Sequence, residues 1–247
     1  MTPADPPVPA AYLALREDAR AVLTGWQAPS AEQEELRGAF LSHLDAHDGA
    51  LWKLGPPAHL TASALVLNPS LDKVLLTLHA KAGLWLQFGG HFEPADLSVL
   101  AAAAREAREE SGIPGLELSP VLAHLDRHAL LASGFGRCRE HLDLRYAGVA
   151  PDEVGYAVSA ESLDVRWWPV EDLPEASRHE ILPLAEAAHL LVPGHGKDFW
   201  SLVDGYGRTE RARGYLEGVS ATAGLAAAGE DEESEPGQAA LHVSSAE

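Results

Sequence analysis

The chain has 247 residues, of which 37 are acidic and 18 are basic, so its formal net charge at pH 7 is −19. Such an acidic balance repels nucleic acid and anionic lipid, which excludes a broad role in binding a nucleic acid polymer or a membrane surface. The length and the 46% apolar content fit a folded protein with one full-sized domain plus extensions, or with two small domains.

Cys138 is the only cysteine. One cysteine excludes a disulfide framework and an iron–sulfur cluster, and we expect no structural zinc site either. The first ten residues have no basic region and no apolar core, so we expect no secretory signal. No apolar run approaches the roughly 20 residues that span a bilayer. These features predict a soluble, cytoplasmic, reduced protein.

Two helices are predicted in an N-terminal extension, residues 1–56. Apolar residues recur at helical spacing over residues 11–23, and Ser30 with Gln33 forms a capping box that starts a second helix reaching about His47. In such a box, the hydroxyl and the amide each satisfy one backbone donor. The helices carry few basic residues, which favours an appendage packed on the main domain over a DNA-reading module.

The main domain is predicted over residues 57–200. It contains short runs of β character, a strong central helix and a last helix over residues 179–191. The predicted strands are 60–68, 73–79, 84–88, 141–149 and 164–170. The first two are placed to form a hairpin. Because strands and helices do not alternate strictly, we expect an α+β fold or an α/β/α sandwich.

A C-terminal extension is predicted over residues 201–247. From Gly214 onward it has seven acidic residues and no basic one. Such a segment cannot bury enough apolar surface to offset its ordering entropy, so we expect disorder from about residue 218. A tail that binds a partner is the alternative.

The segment from residue 89 to residue 113 has the most informative pattern. A strand ends at Gly89 and Gly90, which let a ligand and a backbone carbonyl approach closely. Asp96 or Ser98 is placed to cap the helix that follows, and Gly112 fits the left-handed position just after it.

Three carboxylates lie on one face of that helix. At 100° per residue, Glu106, Glu109 and Glu110 fall within an arc of roughly 100° and repel one another. A hard cation such as Mg²⁺ prefers oxygen ligands and would reverse this repulsion. Taken alone, the same residues also fit an ordinary solvated helix face.

The whole arrangement resembles the Nudix box, G-x5-E-x7-R-E-U-x-E-E-x-G-U, in which U is aliphatic. The matching positions are Gly90, Arg105-Glu106, Glu109-Glu110 and Gly112-Ile113. The loop departs from the pattern, because Asp96 replaces the usual Glu and eight residues rather than seven separate it from Arg105. Ala107 is also small for its aliphatic position. We therefore expect Asp96 to contribute less than the helical glutamates.

The resemblance implies a Nudix-type α/β/α sandwich with a mixed β-sheet. It also implies a Mg²⁺- or Mn²⁺-dependent hydrolase that cleaves the diphosphate linkage of a nucleoside diphosphate joined to another moiety. The implied metal ligands are Glu106, Glu109, Glu110 and the Gly89 carbonyl. Glu106 and Arg105 are assigned to catalysis, Arg105 by orienting the glutamates. The implied partner is a phosphorylated small molecule, which a metal lets so acidic a protein bind; the oligomeric state stays open.

Candidates outside the box are assigned to substrate binding. His91 closely follows the glycines and is placed to meet a phosphate or a base. His141 and Asp143 point the same way on a strand and are placed to give a further metal or base contact, as is Glu161. A paired strand edge without a function is the alternative.

Two other functions remain open. A non-catalytic Nudix-like module would bind a nucleotide to regulate a partner, but such modules tend to lose box carboxylates, and all three helical ones are present here. An isomerase of the isopentenyl-diphosphate type shares the fold but uses a catalytic cysteine. Cys138 lies outside the usual context for that role, and we assign it no chemistry.

Overall fold

The computed structural model describes residues 7–130, 136–151, 155–159 and 162–191. The predicted C-terminal extension and Glu161 lie outside the described residues. The helices are α1 (Ala10–Gly25), α2 (Ala31–Ala46), α3 (Val99–Ser111) and α4 (Glu175–Leu191). The strands are β1 (Ala58–Leu67), β2 (Lys73–His79), β3 (Trp85–Leu86), β4 (Phe88–Gly90), β5 (Glu117–Leu118), β6 (His124–Ala129), β7 (Glu140–Val149) and β8 (Ser162–Pro169).

The described strands form one eight-stranded mixed sheet. Its centre is the parallel pair β1 and β7, which run in register over ten residues, so that His59 lies opposite His141 and Ser63 opposite Arg145. The other pairings are antiparallel, including the predicted hairpin of β1 and β2. Strand β4 pairs with β1 and places Gly90 opposite Ala62.

Helices cover both faces of this sheet. The Cβ direction of Gly90, beside Ala62, points at Glu106 of α3. Ser63, the next residue of β1, lies opposite Arg145, and Arg145 donates to Glu180 of α4 at 2.6 Å. Successive residues of a strand point to opposite faces, so α3 and α4 lie on opposite sides. The predicted α+β fold with a mixed sheet between helices is confirmed.

Several element boundaries differ from the prediction. The run predicted as one strand at 84–88 is split into β3 and β4, and α4 begins four residues earlier than expected. Strand β6 was not predicted at all. Its polar side chains, such as Asp126 and His128, turn toward a polar region of the sheet, so its sequence lacks the apolar alternation of a half-buried strand.

The N-terminal helices pack against the sheet domain, as predicted. Helix α1 buries Tyr12, Leu15, Ala19 and Leu23 along one stripe. Just after it, the indole N–H of Trp26 donates to the Leu122 carbonyl at 2.7 Å. None of the described helices is long and apolar enough to cross a membrane.

The capping box of α2 is formed only in part. The Ser30 hydroxyl accepts from the Gln33 backbone N–H at 3.2 Å, as predicted. The Gln33 amide does not return to Ser30; it accepts from the Leu125 backbone N–H at 2.8 Å and donates to the Leu125 carbonyl at 2.9 Å. A buried strand with free backbone groups is the better partner, so the amide ties α2 to β6.

Candidate functional site

Two glycines at the end of β4 allow close approach from both sides. A Cβ on Gly90 would lie 2.5 Å from Oε1 of Glu106, and one on Gly89 would lie 2.4 Å from Cβ of Ser63. At Gly89 the obstacle is the β1 backbone with the Ser63 Cβ, whereas at Gly90 the carboxylate of Glu106 would have to move. Gly89 is therefore required by the close approach of β1, and Gly90 leaves the space that the Glu106 carboxylate occupies.

The ends of α3 hold that helix in place. The Ser98 hydroxyl accepts from the Ala101 backbone N–H at 3.0 Å and caps the first turn. Gly112 ends the helix with φ 69°, the left-handed conformation expected there. Between them, Ala103 and Ala107 are fully buried, which lets the helix lie close to the strands.

The three predicted glutamates occupy different environments. Glu110 is buried at 7% exposure, and its Oε2 accepts from the Gly89 backbone N–H at 3.1 Å. Glu106 lies beneath Gly90, with its side chain 16% exposed. The side chain of Glu109 is 61% exposed. Two carboxylates therefore meet the end of β4, and the third faces solvent on the same helix.

Arg105 links two of these carboxylates. Its Nη1 lies 3.0 Å from Glu106 Oε1 and 3.3 Å from Glu109 Oε2. The other side of the guanidinium forms a bidentate pair with Asp96, at 2.9 and 3.0 Å. The Asp96 hydrogen bond, together with the charges of Glu106 and Asp96, raises the pKa of Arg105, so it stays charged. The inserted loop residue does not separate Asp96 from Arg105.

His91 connects this site to a cavity. Its backbone carbonyl accepts from Arg105 Nη2 at 3.1 Å. The same residue lines a cavity of about 280 Å³, whose wall also includes Lys53, Lys81 and Arg137. A cavity with three cationic side chains is suited to an anionic ligand.

Asp143 lies in a buried polar network at 3% exposure. Its oxygens accept from Thr61 at 2.9 Å and from Ser63 at 2.6 Å, both on β1. They also accept from Nε of Arg145 at 3.0 Å, a guanidinium that is fully buried. These contacts compensate the buried charges and favour a role for Asp143 in holding β7 against β1 and α4.

His141 belongs to a cluster that the sequence did not reveal. It lies with His59, His91 and Cys138, and one potential ligand atom from each falls within 4.8 Å of all the others. Burial lowers the pKa of His91 to about 3, with further lowering from Lys53 and the neighbouring imidazoles. Burial likewise lowers the pKa of His141 to about 4. These imidazoles are therefore neutral.

His59 and Cys138 were the residues of this cluster left without a role by sequence reasoning. The parallel register of β1 and β7 places His59 opposite His141, and sequence alone does not give a register between distant strands. One sequence signal was available. In both β1 and β7 a histidine is followed by polar residues at every second position, which indicates that one face of these central strands is polar.

Solved structures similar to this chain include a Nudix-family hydrolase from Clostridium perfringens, with 29% identity, 54% of this chain and 98% of that chain covered, and a TM-score of 0.42. The MutT protein of Methanosarcina mazei has 22% identity and a TM-score of 0.41, and the match covers 50% of this chain and 90% of that chain. The Nudix domain of Shewanella oneidensis NrtR, crystallised with ADP-ribose, has 19% identity and a TM-score of 0.39. The match covers 51% of this chain and 84% of that chain. No curated protein matches the chain.

A family model decides the assignment. The model of the NUDIX domain matches residues 57–187, more than half of the chain. The match includes the whole of α3 and all strands of the sheet. The chain therefore belongs to the Nudix hydrolase family, whose members act on nucleoside diphosphate derivatives.

Proposed function

We propose that this protein is a Mg²⁺- or Mn²⁺-dependent hydrolase that cleaves the diphosphate linkage of a nucleoside diphosphate joined to another moiety. The observation that supports this most strongly is the meeting of Glu106 and Glu110 with the two adjacent glycines that end β4. The helix thus presents two carboxylates at the end of β4, and we assign the Gly89 carbonyl as a further ligand there.

The donor set fits a hard divalent cation. Glu106, Glu109 and Glu110, with the Gly89 carbonyl, offer only oxygen atoms, which are the ligands that Mg²⁺ prefers. The space beside Glu106 depends on the missing side chain of Gly90. When bound, such a cation neutralises phosphate charge and makes a water molecule a stronger nucleophile.

Arg105 acts by positioning in this proposal. Its contacts with Glu106 and Glu109 fix two carboxylates on one face, and Asp96 fixes Arg105 from the other side. The partly buried guanidinium also reduces repulsion among the carboxylates. Preorganised donors of this kind need little rearrangement during the reaction.

The cavity beside His91 is the proposed place for part of the substrate. Lys53, Lys81 and Arg137 would hold negatively charged phosphate oxygens, which the net charge of −19 would otherwise repel. His91 lies in the wall between this cavity and Arg105. On β7, the His141 ring contacts the His91 ring, and Asp143 bonds to Thr61 and Ser63 of β1. We assign both residues to the support of this wall. A cytoplasmic location is part of the proposal and rests on the composition of the chain.

Hydrolysis of a panel of nucleoside and sugar diphosphate derivatives tests the proposal. We expect Mg²⁺-dependent release of two phosphorylated products from at least one compound, and a loss of several orders of magnitude in kcat for Glu106→Gln. Glu35→Gln, which removes an exposed carboxylate from α2, is the matched control and should keep full activity. Tight binding of a nucleotide without turnover by the wild type would instead identify a regulatory module.

A further inference from the structure

Four side chains from distant parts of the sequence meet on one side of the sheet. His59 comes from β1, His91 follows β4, Cys138 precedes β7, and His141 lies in β7. The Nε2 atom of His91 is 3.0 Å from Nε2 of His59 and 3.7 Å from Sγ of Cys138. The four potential ligand atoms all lie within 4.8 Å of one another.

These separations are close to those of a tetrahedral metal site. With zinc–nitrogen bonds of about 2.1 Å and a zinc–sulfur bond of about 2.3 Å, neighbouring ligand atoms lie about 3.4–3.6 Å apart. The distances of 3.0 and 3.7 Å from His91 Nε2 fall on either side of that range. Bringing the other separations, all of 4.8 Å or less, into this range would complete the coordination.

The hydrogen bonds of His59 prepare it as a ligand. Its Nδ1 lies 3.0 Å from the Pro56 carbonyl, so Nδ1 must carry the proton and the lone pair of Nε2 is directed at His91. A histidine that ligates a metal through one nitrogen commonly donates the other N–H to a backbone carbonyl. His59 itself is fully buried.

His141 gives an independent indication. Its Nε2 is buried and has no hydrogen-bond partner among the described residues. A buried polar atom left in this way costs free energy, commonly about 1–3 kcal/mol. A metal ion at the centre of the cluster would satisfy it.

We propose that His59, His91, Cys138 and His141 bind one Zn²⁺ in a structural site separate from the carboxylates of α3. Three imidazoles and one thiolate suit zinc rather than Mg²⁺, and four protein ligands close the coordination shell. On binding, Cys138 forms a sulfur–zinc bond and releases its thiol proton to solvent. The proposal departs from the expectation that a single cysteine excludes structural zinc, since three histidines would supply the remaining ligands.

The site would stabilise the wall between the cavity and the Nudix helix. His91 lies between the glycines of β4 and the start of α3, and its carbonyl contacts Arg105. Anchoring His91 to β1 and β7 would therefore fix one side of the carboxylate site. This role differs from direct contact of His91 and His141 with the substrate.

Cobalt substitution and metal analysis of the full-length protein test the proposal without any assay of hydrolysis. After removal of bound metal, wild-type protein titrated with Co²⁺ should develop a thiolate-to-cobalt charge-transfer band and intense tetrahedral d–d bands, which correspond to one Co²⁺ in this site. Added Zn²⁺ should bleach both, whereas excess Mg²⁺ should not. Cys138→Ser should lose the charge-transfer band and weaken binding by about a hundredfold or more, since even the loss of a supporting residue costs 10–100-fold.

Matched variants separate this site from the other. Glu110→Gln should keep the cobalt spectrum, because it alters only the carboxylate site, and His47→Asn should keep it as an exposed histidine control. His141→Asn gives a second ligand deletion if Cys138→Ser does not fold, which circular dichroism would show. A wild type without the thiolate band, or an unchanged cobalt spectrum and affinity in folded His141→Asn, would overturn the proposal.

Discussion

Asp96 holds Arg105 through two parallel hydrogen bonds across the loop that leads into α3. Nε donates to Oδ1 at 2.9 Å and Nη2 donates to Oδ2 at 3.0 Å, and the Asp96 side chain is only 4% exposed. A bidentate, shielded pair of this kind is stronger and more directional than a surface salt bridge. The extra residue in the loop is accommodated while this pair is kept.

Asp96→Asn should therefore reduce kcat more than the sequence suggested, by about tenfold to a hundredfold, which is typical of a residue that orients a ligand. The amide retains one acceptor but loses the charge and one of the two bonds to Arg105. Steady-state kinetics at saturating Mg²⁺ would measure this change in kcat. Asp45→Asn, which removes a 66% exposed partner of Arg20, is the control and should be neutral. Equal kinetics of the two variants would show that the Asp96 pair is dispensable.

Gly90→Ala should abolish most activity with a smaller effect on the fold. The new Cβ would lie 2.5 Å from Glu106 Oε1, so the carboxylate must move out of its position. Gly38→Ala is the matched control, because nothing lies within 4 Å of a Cβ there and α2 should gain stability of up to about 1 kcal/mol. Turnover and thermal melting of both variants would test this. Unchanged turnover in Gly90→Ala would contradict the placement of Glu106.

Stability should fall as the pH drops below about 6.5, in part because of His124. Burial, and then the charge of Arg145, lower the pKa of this imidazole to about 4. Gln33 Nε2 donates to its Nε2 at 3.0 Å, so that nitrogen must be unprotonated. The unfolded chain binds the proton first, so this contribution is complete above pH 6.5 and is lost as the pH falls toward 4.

His124→Gln should flatten that profile, because it removes the titrating group. At about 1.4 kcal/mol per pKa unit, the wild type would lose on the order of 3 kcal/mol at most from this residue. Urea unfolding from about pH 7 to pH 4.5 would measure the slopes. Parallel profiles of the two proteins would show that His124 does not titrate abnormally.

The helices and the long strands were predictable because their patterns are local. Helix α3 has a capping serine, a left-handed glycine and a run of alanines, all within a few residues of one another. The placement of Glu106 and Glu110 on one face follows from helical periodicity alone. Helical periodicity did not predict which residues of other elements lie next to these two glutamates.

The missing parts depend on contacts between distant residues. The histidine cluster needs the ten-residue parallel register of β1 and β7, which no local pattern reveals. From the sequence, Asp143 was a candidate metal ligand. In the structure it pairs with Arg145, which is fully buried beside it. Gln33 was expected to complete the capping box, because its actual partner, the backbone of Leu125, lies 92 residues further along the chain.

Thermal melting with and without Mg²⁺ tests the central claim most directly, namely that Glu106, Glu109 and Glu110 form a divalent cation site. Wild type and Glu110→Gln would be stripped of metal in the same way and compared at fixed ionic strength, since salt also screens repulsion. In metal-free buffer, Glu110→Gln should melt no lower than wild type, because one repelling charge is gone and the amide oxygen still accepts from Gly89.

With Mg²⁺ at about 100 times Kd, the wild type should gain roughly 2.7 kcal/mol, a rise of several degrees at about 2–4 °C per kcal/mol. Glu110→Gln should gain much less. Equal, small responses of both proteins to Mg²⁺ would contradict the account, since they are what a solvated acidic helix face produces.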